Sequence, residues 1–362
     1  AHTQVGDDLS LLAELARLEE RSGDPQSALQ SYRKLLLSDT TQPGPYRGIV
    51  TCLQALHRPA EAVTAAAALV VLGQAGDYDA VQVSNRVPLA LRVSSSLVDD
   101  PLLHAFAMPQ PQHPVSGLFT AISEALDRLE EPRLERFGLT AKDRLTSRTG
   151  HPLRAVADRV AAALSVEDFQ LYLAPTATLP AVELAPEPAL ILPNGLETLP
   201  EADQPFALAR LMLPLRRRWQ AVDAFDDATL QAWFAAALRL VDDNWGAHGP
   251  SGEAIGVASR RLSKALPWGR KGRVEEAARA CLEAKAVSVG DWGTQVRLAS
   301  ARVALVLADD LVGALTWLRS SEGDLSGLPP NLAARGTWML HDLLRTWVSE
   351  AAFATRRNLG IS

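Results

Sequence analysis

Apolar positions recur at helical spacing over residues 8–75, lose that spacing over 76–114, and then return as helices interrupted once by a stretch that alternates. In the first region Leu12, Leu15 and Ala16 share one helical face, as do Tyr46, Ile49 and Val50, which predicts paired helices burying equivalent faces. Residues 76–114 gather Pro88, Pro101, Pro109, Pro111 and Pro114 and read as a wandering linker. Beyond it, Leu118, Phe119, Ile122, Leu126 and Leu129 predict a helix over 115–129, and Val156, Val160 and Ala161 predict one over 153–164. The period then changes to two, and 169–173, 181–184 and 189–192 read as short strands separated by turns containing Pro and Thr. Helices return over 205–215, 228–241, 274–284, 296–318 and 332–353. The pattern predicts an α+β chain, predominantly α. Helical hairpins occupy 1–75, a Pro-rich linker 76–114, and a mostly helical domain with a small three-stranded sheet 115–362.

The hairpins repeat. Pro25 and Pro59, Ala28 and Ala62, and Leu35 and Leu69 each stand thirty-four residues apart. Each proline falls near the start of a second helix, where its missing N–H breaks no intrahelical bond. In period and in the placing of small residues, about residues 8–75 resemble tetratricopeptide (TPR) repeats. That resemblance implies stacked helix-turn-helix units forming a non-catalytic scaffold that binds a partner protein, with Tyr46, Arg47 and Gln54 as first contacts. Such a stack needs about three repeats to bury a continuous core, so the two hairpins must dock on the C-terminal remainder of the chain or end a longer array. An opening on Ala1 without methionine reads as an internal stretch of a longer protein, or as one trimmed by a few residues.

The order of a helix, the run Leu164-Ser165-Val166-Glu167-Asp168-Phe169-Gln170-Leu171-Tyr172-Leu173, two more strands, the turn Leu190-Ile191-Leu192-Pro193-Asn194-Gly195-Leu196 and a further helix resembles the core of HtpX-like zinc endopeptidases, over about residues 150–320. In that family the helix after the turn carries HExxH, two imidazoles holding zinc while the glutamate between them activates its water. Here Arg210 and Pro214 stand at the histidine positions and Leu211 at the glutamate position. Where a third ligand belongs, Leu298-Ala299-Ser300-Ala301-Arg302 offers no carboxylate. An arginine, a leucine and a proline cannot build a zinc site, so the resemblance implies a degenerate domain without cofactor, a cap or second docking surface. Residues 115–361, through Phe353-Ala354-Thr355-Arg356-Arg357-Asn358-Leu359-Gly360, also resemble the C-terminal region of large TPR proteins of myxobacteria and their relatives, which implies architecture and little function. An unrelated α+β domain is the other reading of the same pattern.

Composition narrows the remaining classes. With 47% apolar and 22% charged residues the chain has ample core and reads as soluble and globular. A net charge of -6 supplies no global field that gathers nucleic acid. Cys52 and Cys281 match no metal or redox spacing and read as buried thiols in a reducing compartment. The longest apolar runs, 65–73 and 303–308, are too short to span a bilayer, and no basic and apolar leader is visible, so the expected location is the cytoplasm. Two short patches, Arg216-Arg217-Arg218-Trp219 and Trp268-Gly269-Arg270-Lys271-Gly272-Arg273, set guanidinium groups beside an indole. Trp268, Arg270, Lys271 and Arg273 are the candidate phosphate contacts, against the plainer reading of a solvated surface loop. The 242–250 loop, with Asp242, Asp243, Asn244 and His248, reads as a helix end and turn. Of Asp309 and Asp310, at most one can face a core. His104, His113, His151 and His341 stand apart from any nucleophile motif, and no residue is assigned as catalytic. Two other function classes stay open: a metal-dependent hydrolase with ligands the pattern does not expose, and a phosphate or nucleic-acid module built on the Arg/Trp patches.

Overall fold

A computed structural model describes residues 2–86, 97–129, 132–201, 203–246, 252–267, 269–284, 287–321 and 338–360. Its elements run α1 (His2–Arg21), α2 (Pro25–Leu35), α3 (Pro43–Ala55), α4 (Pro59–Val71), α5 (Asp77–Ser84), α6 (Asp100–Ala105), α7 (Pro114–Leu129) and α8 (Pro152–Leu164). Then come β1 (Gln170–Ala174), β2 (Ala181–Glu183), β3 (Ala189–Pro193), α9 (Gln204–Arg216), α10 (Ala221–Ala224), α11 (Asp227–Leu238), α12 (Gly252–Ala265) and α13 (Lys271–Glu283). The chain closes with α14 (Val289–Ala308), α15 (Leu311–Ser321), α16 (Trp338–Trp347) and α17 (Glu350–Asn358). It is α+β and predominantly α, with one three-stranded sheet, as the periodicity predicts. Contacts group it into two compact units, Ala1–Arg92 with Leu305–Ser362, and Val93–Ala304.

In the first unit the two expected hairpins form, α1 on α2 and α3 on α4. Pro25 and Pro59 open α2 and α4, and the Asp24 carboxylate caps α2 by accepting from the Ser27 amide at 3.1 Å. Where α2 meets α3, the Tyr32 ring stands 2.3 Å from the point a Cβ on Gly48 would occupy, so only glycine admits it. The Tyr32 hydroxyl donates to Glu20 of α1 at 2.6 Å, tying three helices together. One inward assignment changes: Ala16 is fully buried, but Leu15 is 47% exposed beside exposed Leu11 and Leu18, on a face of α1 turned away from α2 and α3.

α4 carries Ala62, Ala65, Ala66, Ala67, Ala68 and Leu69, all buried. A helix apolar on every side must be covered on every side. α15 and α16 supply the cover, and the Trp347 indole donates to the Thr64 carbonyl at 2.6 Å. This changes the boundary expected from sequence, which placed everything after 114 in one domain: residues 305–362 group instead with the hairpins, because the small side chains of α4 leave a face that α15 and α16 can approach closely. Glu350, in the first turn of α17, joins Arg33 of α2 at 2.9 Å and Arg357 at 2.6 Å, and Glu61 of α4 accepts from Arg357 at 2.6 Å.

The linker expectation over 76–114 also changes. Within it α5 and α6 form, since Asp99 caps α6 through the Leu102 amide at 2.8 Å and Pro101 sits in its first turn. Prolines there open helices rather than only breaking them. Pro88 lies outside the described residues. The single helix predicted over 296–318 is two, α14 and α15, because Asp309 turns left-handed at φ 51 and Asp310 caps the next helix by accepting from the Gly313 amide at 3.1 Å. Likewise 332–353 holds α16 and α17, separated at Ser349, whose hydroxyl caps the Ala352 amide; 332–337 lies outside the described residues.

In the second unit the sheet has order β1-β3-β2, with β1 parallel and β2 antiparallel to β3. Every residue of the central strand is buried, which suits the unbroken apolar run Ala189-Leu190-Ile191-Leu192. Tyr172, Ala174, Ala189 and Ile191 share one sheet face and pack with Leu139. α8 packs on α9, and α7 is enclosed by α11, α12 and α13. At its heart Trp292 stacks on Phe119 at 4.8 Å and meets the edge of Trp219 at 5.7 Å.

Candidate functional site

The hairpin unit carries a groove of about 360 Å³. Leu9, Ala13 and Arg17, at successive i, i+4 positions, form its α1 wall, and Gly44 and Pro45 at the start of α3 form the opposite wall. Tyr32 and Leu35 of α2 make the floor, and Ser38, Asp39 and Gln42 the polar rim. The rim is ordered: Asp39 accepts from the Thr41 amide at 2.8 Å and from the Gln42 side chain at 3.0 Å, contacts that hold its carboxyl below the usual range against burial, which pushes the other way. Arg17 stands exposed, paired with Glu14 at 2.8 Å. The groove thus offers apolar walls, one cation and one fixed carboxylate.

Of the contacts expected from sequence, Tyr46 is fully buried and donates to the Thr40 carbonyl at 3.0 Å, so it belongs to the hairpin core and not to an exposed face. Arg47 and Gln54 lie exposed with Thr51 on another strip of α3, and Arg47 reaches the Gln74 carbonyl at 3.2 Å. None of the three lines the groove. Sequence reasoning missed Leu9, Ala13, Arg17 and Leu35 as a group. The i, i+4 spacing on α1 was the one local signal that could have found the wall.

In the second unit the indole of the first Arg/Trp patch turns inward, away from a shared surface. Trp219 is buried and donates to the Thr120 hydroxyl at 2.9 Å; Arg217 reaches Asp100 at 2.5 Å, and Arg216 donates to the Leu164 carbonyl at 2.8 Å. Trp268 lies outside the described residues. Arg270 pairs with Glu124 at 3.4 Å, Lys271 lies 3.6 Å from Glu275, and Arg273 is exposed.

A cleft of about 230 Å³ opens where the loop after α8, the turn before β3 and the loop after α9 meet. Asp127, Glu167, Asp168, Arg216, Arg218 and Gln220 contribute to it, and Ser165 and Arg218 hold left-handed backbone at φ 55 and φ 58. Asp127 is buried, and Gln220 Nε2 donates to both its oxygens at 3.0 and 3.2 Å. Burial pushes its carboxyl up to about 6, only partly offset by Gln220 and Arg218. The folded state therefore holds a proton here more tightly than the unfolded chain. The stability it contributes is full below the ordinary carboxylate range and is lost as pH rises through about 6. Asp127→Asn is expected to gain on the parent as pH rises, its relative stability increasing by about 2 kcal/mol between pH 4.5 and pH 7.5. Urea unfolding of both proteins at the two pH values measures this, and a constant difference would contradict it.

On α9, Arg210, Leu211 and Pro214 are all buried. Desolvation raises the carboxyl of nearby Asp223 while Arg210 and Arg297 pull it back. Among the described residues no three His, Cys, Asp or Glu side chains gather as a metal-ligand set. His151 caps α8 by accepting from the Leu153 amide at 3.2 Å, and His341 bonds to Thr40. Cys52 and Cys281 are buried and free, and burial pushes both thiols up to about 11, which keeps them protonated and unreactive. No helix of the described residues is long and apolar enough to cross a membrane. Compared with known proteins, the chain matches no family model, no curated protein and no solved structure.

Proposed function

We propose that the hairpin unit is a non-catalytic interaction module that holds a short segment of a partner protein in the groove between α1 and the start of α3. The observation that carries this reading is the groove itself, where the described residues leave Leu9 and Ala13 of the wall and Leu35 of the floor uncovered beside an ordered polar rim. One apolar side chain of the partner seats on those walls, and Arg17, Asp39 and Gln42 engage its backbone or polar neighbours. The thirty-four-residue period, with its resemblance to TPR repeats, supports binding of a peptide segment by stacked hairpins. The second unit acts as a cap or further docking surface, with no catalytic role. Two buried, unreactive thiols are in keeping with a reducing, cytoplasmic setting.

A library of random 15-residue peptides displayed on phage and selected against the whole chain tests this. Enriched sequences are expected to share one apolar anchor. Affinity of an enriched peptide, followed by fluorescence anisotropy, is expected to fall at least tenfold in Ala13→Trp, which fills the groove from a partly exposed position. Failure to enrich, or an affinity indifferent to Ala13→Trp, would reject the groove as the binding site.

A further inference from the structure

Four cations from three helices converge on one open pocket of about 740 Å³ in the second unit. They are Arg239, just after α11, Arg260 and Lys264 of α12, and Lys271 at the start of α13. Among the described residues Asp243 is the one carboxylate in the lining; Ser259 and Ser263 add hydroxyls. Nη1 of Arg260 and Nη1 of Arg239 lie 3.7 and 3.8 Å from the point a Cβ on Gly256 would occupy. Both guanidinium groups therefore reach the same spot, and the glycine leaves it clear. Arg239 is aimed there because its Nε donates to the Trp245 carbonyl at 2.8 Å. Arg260 and Lys264 follow each other at i, i+4, a spacing at which like charges repel. Neither has an ion-pair partner among the described residues, and Lys271 comes no nearer than 3.6 Å to Glu275.

A chain of net charge -6 has concentrated positive charge in one concavity, where an anion would relieve the repulsion. Arginine forks match phosphate oxygens in pairs, and lysines add mobile point charges. The volume falls in the range of small-ligand pockets, about 300–1,000 Å³. A single phosphate at the spot the two guanidinium groups share meets two cations, whereas a chain of two or three phosphates has further oxygens to offer the lysines of the same pocket. Among the described residues no aromatic side chain lines the pocket, so none of them stacks on a base there. We propose that this pocket binds the diphosphate or triphosphate part of a small molecule, recognised by its charge.

Calorimetric titration of the full chain with pyrophosphate and with tripolyphosphate, orthophosphate serving as the single-phosphate reference, tests this. One site per chain is expected, with the two longer anions bound at least tenfold more tightly than orthophosphate. Arg260→Gln with Lys264→Gln changes two exposed side chains and is expected to weaken tripolyphosphate at least tenfold while leaving the unliganded melting temperature unchanged. Arg273→Gln, outside the lining, is expected to leave binding intact. The proposal is overturned by an absence of saturable binding at millimolar anion, or by equal losses in Arg273→Gln and the double variant. A single-stranded oligonucleotide that binds more tightly than tripolyphosphate, with a salt slope larger than four phosphate contacts allow, would instead assign the patch to nucleic acid.

Discussion

Asp309→Ala is expected to destabilise the protein by about 3–5 kcal/mol, the usual cost of removing one member of a buried ion pair. Asp309 is 2% exposed and is the meeting point of two cations: Arg356 Nε donates to it at 2.9 Å and Arg86 Nη2 at 2.7 Å. Arg356 is also buried and lies over the Trp347 ring at 4.0 Å. Desolvation pushes its guanidinium down to about 10, so it is still charged at neutral pH and still needs its counter-ion. Removing the carboxylate strands that charge in the core. Alanine is also a poorer residue than aspartate for left-handed backbone at φ 51. Arg356→Met is expected to cost less than Asp309→Ala, because Asp309 keeps Arg86 and the methionine fills the space over Trp347. Urea unfolding of the two variants makes the comparison, and a larger loss in Arg356→Met would contradict this account of the pair.

Trp292→Ala carries a similar expected loss, about 3–5 kcal/mol, by a different route. The indole is 1% exposed, stacked on Phe119 with an angle of 9° between the rings and edge-on to Trp219 at 71°. Its Nε1 donates at 3.0 Å to the hydroxyl of Ser116, which is itself fully buried. Alanine would open a cavity between Phe119 of α7 and Trp219 in the turn after α9, and leave the Ser116 hydroxyl without that donor. Trp292→Phe keeps most of the stacking and loses the N–H, so its cost is expected to be about 1–2 kcal/mol. Chemical unfolding followed by far-ultraviolet circular dichroism gives both values. A Trp292→Phe loss equal to that of Trp292→Ala would show that the hydrogen bond, not the packed volume, governs this core.

The candidate sites are less legible in the sequence than the elements that carry them. Lys271 stands in a visibly basic run, but its companions Arg239, Arg260 and Lys264 sit in unremarkable sequence, two of them on α12, a helix the apolar pattern does not reveal. That helix buries only Ile255, Ala258 and Leu262, a stripe of three residues at helical spacing in an otherwise polar stretch. Arg270 and Arg273, close to Lys271 in sequence, point to no common site with it. The hairpin groove is similar: its wall comes from α1, its floor from α2 and its far side from α3, and no single short window of sequence contains all three. Tyr46 carries two readings in the sequence, a place on the buried face with Ile49 and Val50 and a contact for a partner; its burial, with its hydroxyl on the Thr40 carbonyl, decides for the first.

By itself the sequence determined what depends on a few neighbouring residues. Prolines at the first helical turn set the starts of α2 and α4, the apolar period of 3.6 set most helices, and short apolar runs bounded by turns set the three strands, since backbone conformation is specified locally. What tertiary structure alone decided is which surfaces meet. The cover for α4 comes from helices whose contact, Trp347 on Thr64, spans 283 residues, and Asp309 ends a helix where Arg86 and Arg356 converge on it from distant parts of the chain. An apolar face states in sequence that it must be buried, but burial is non-directional, and its partner is chosen by shape and by buried charge among residues that sequence keeps far apart.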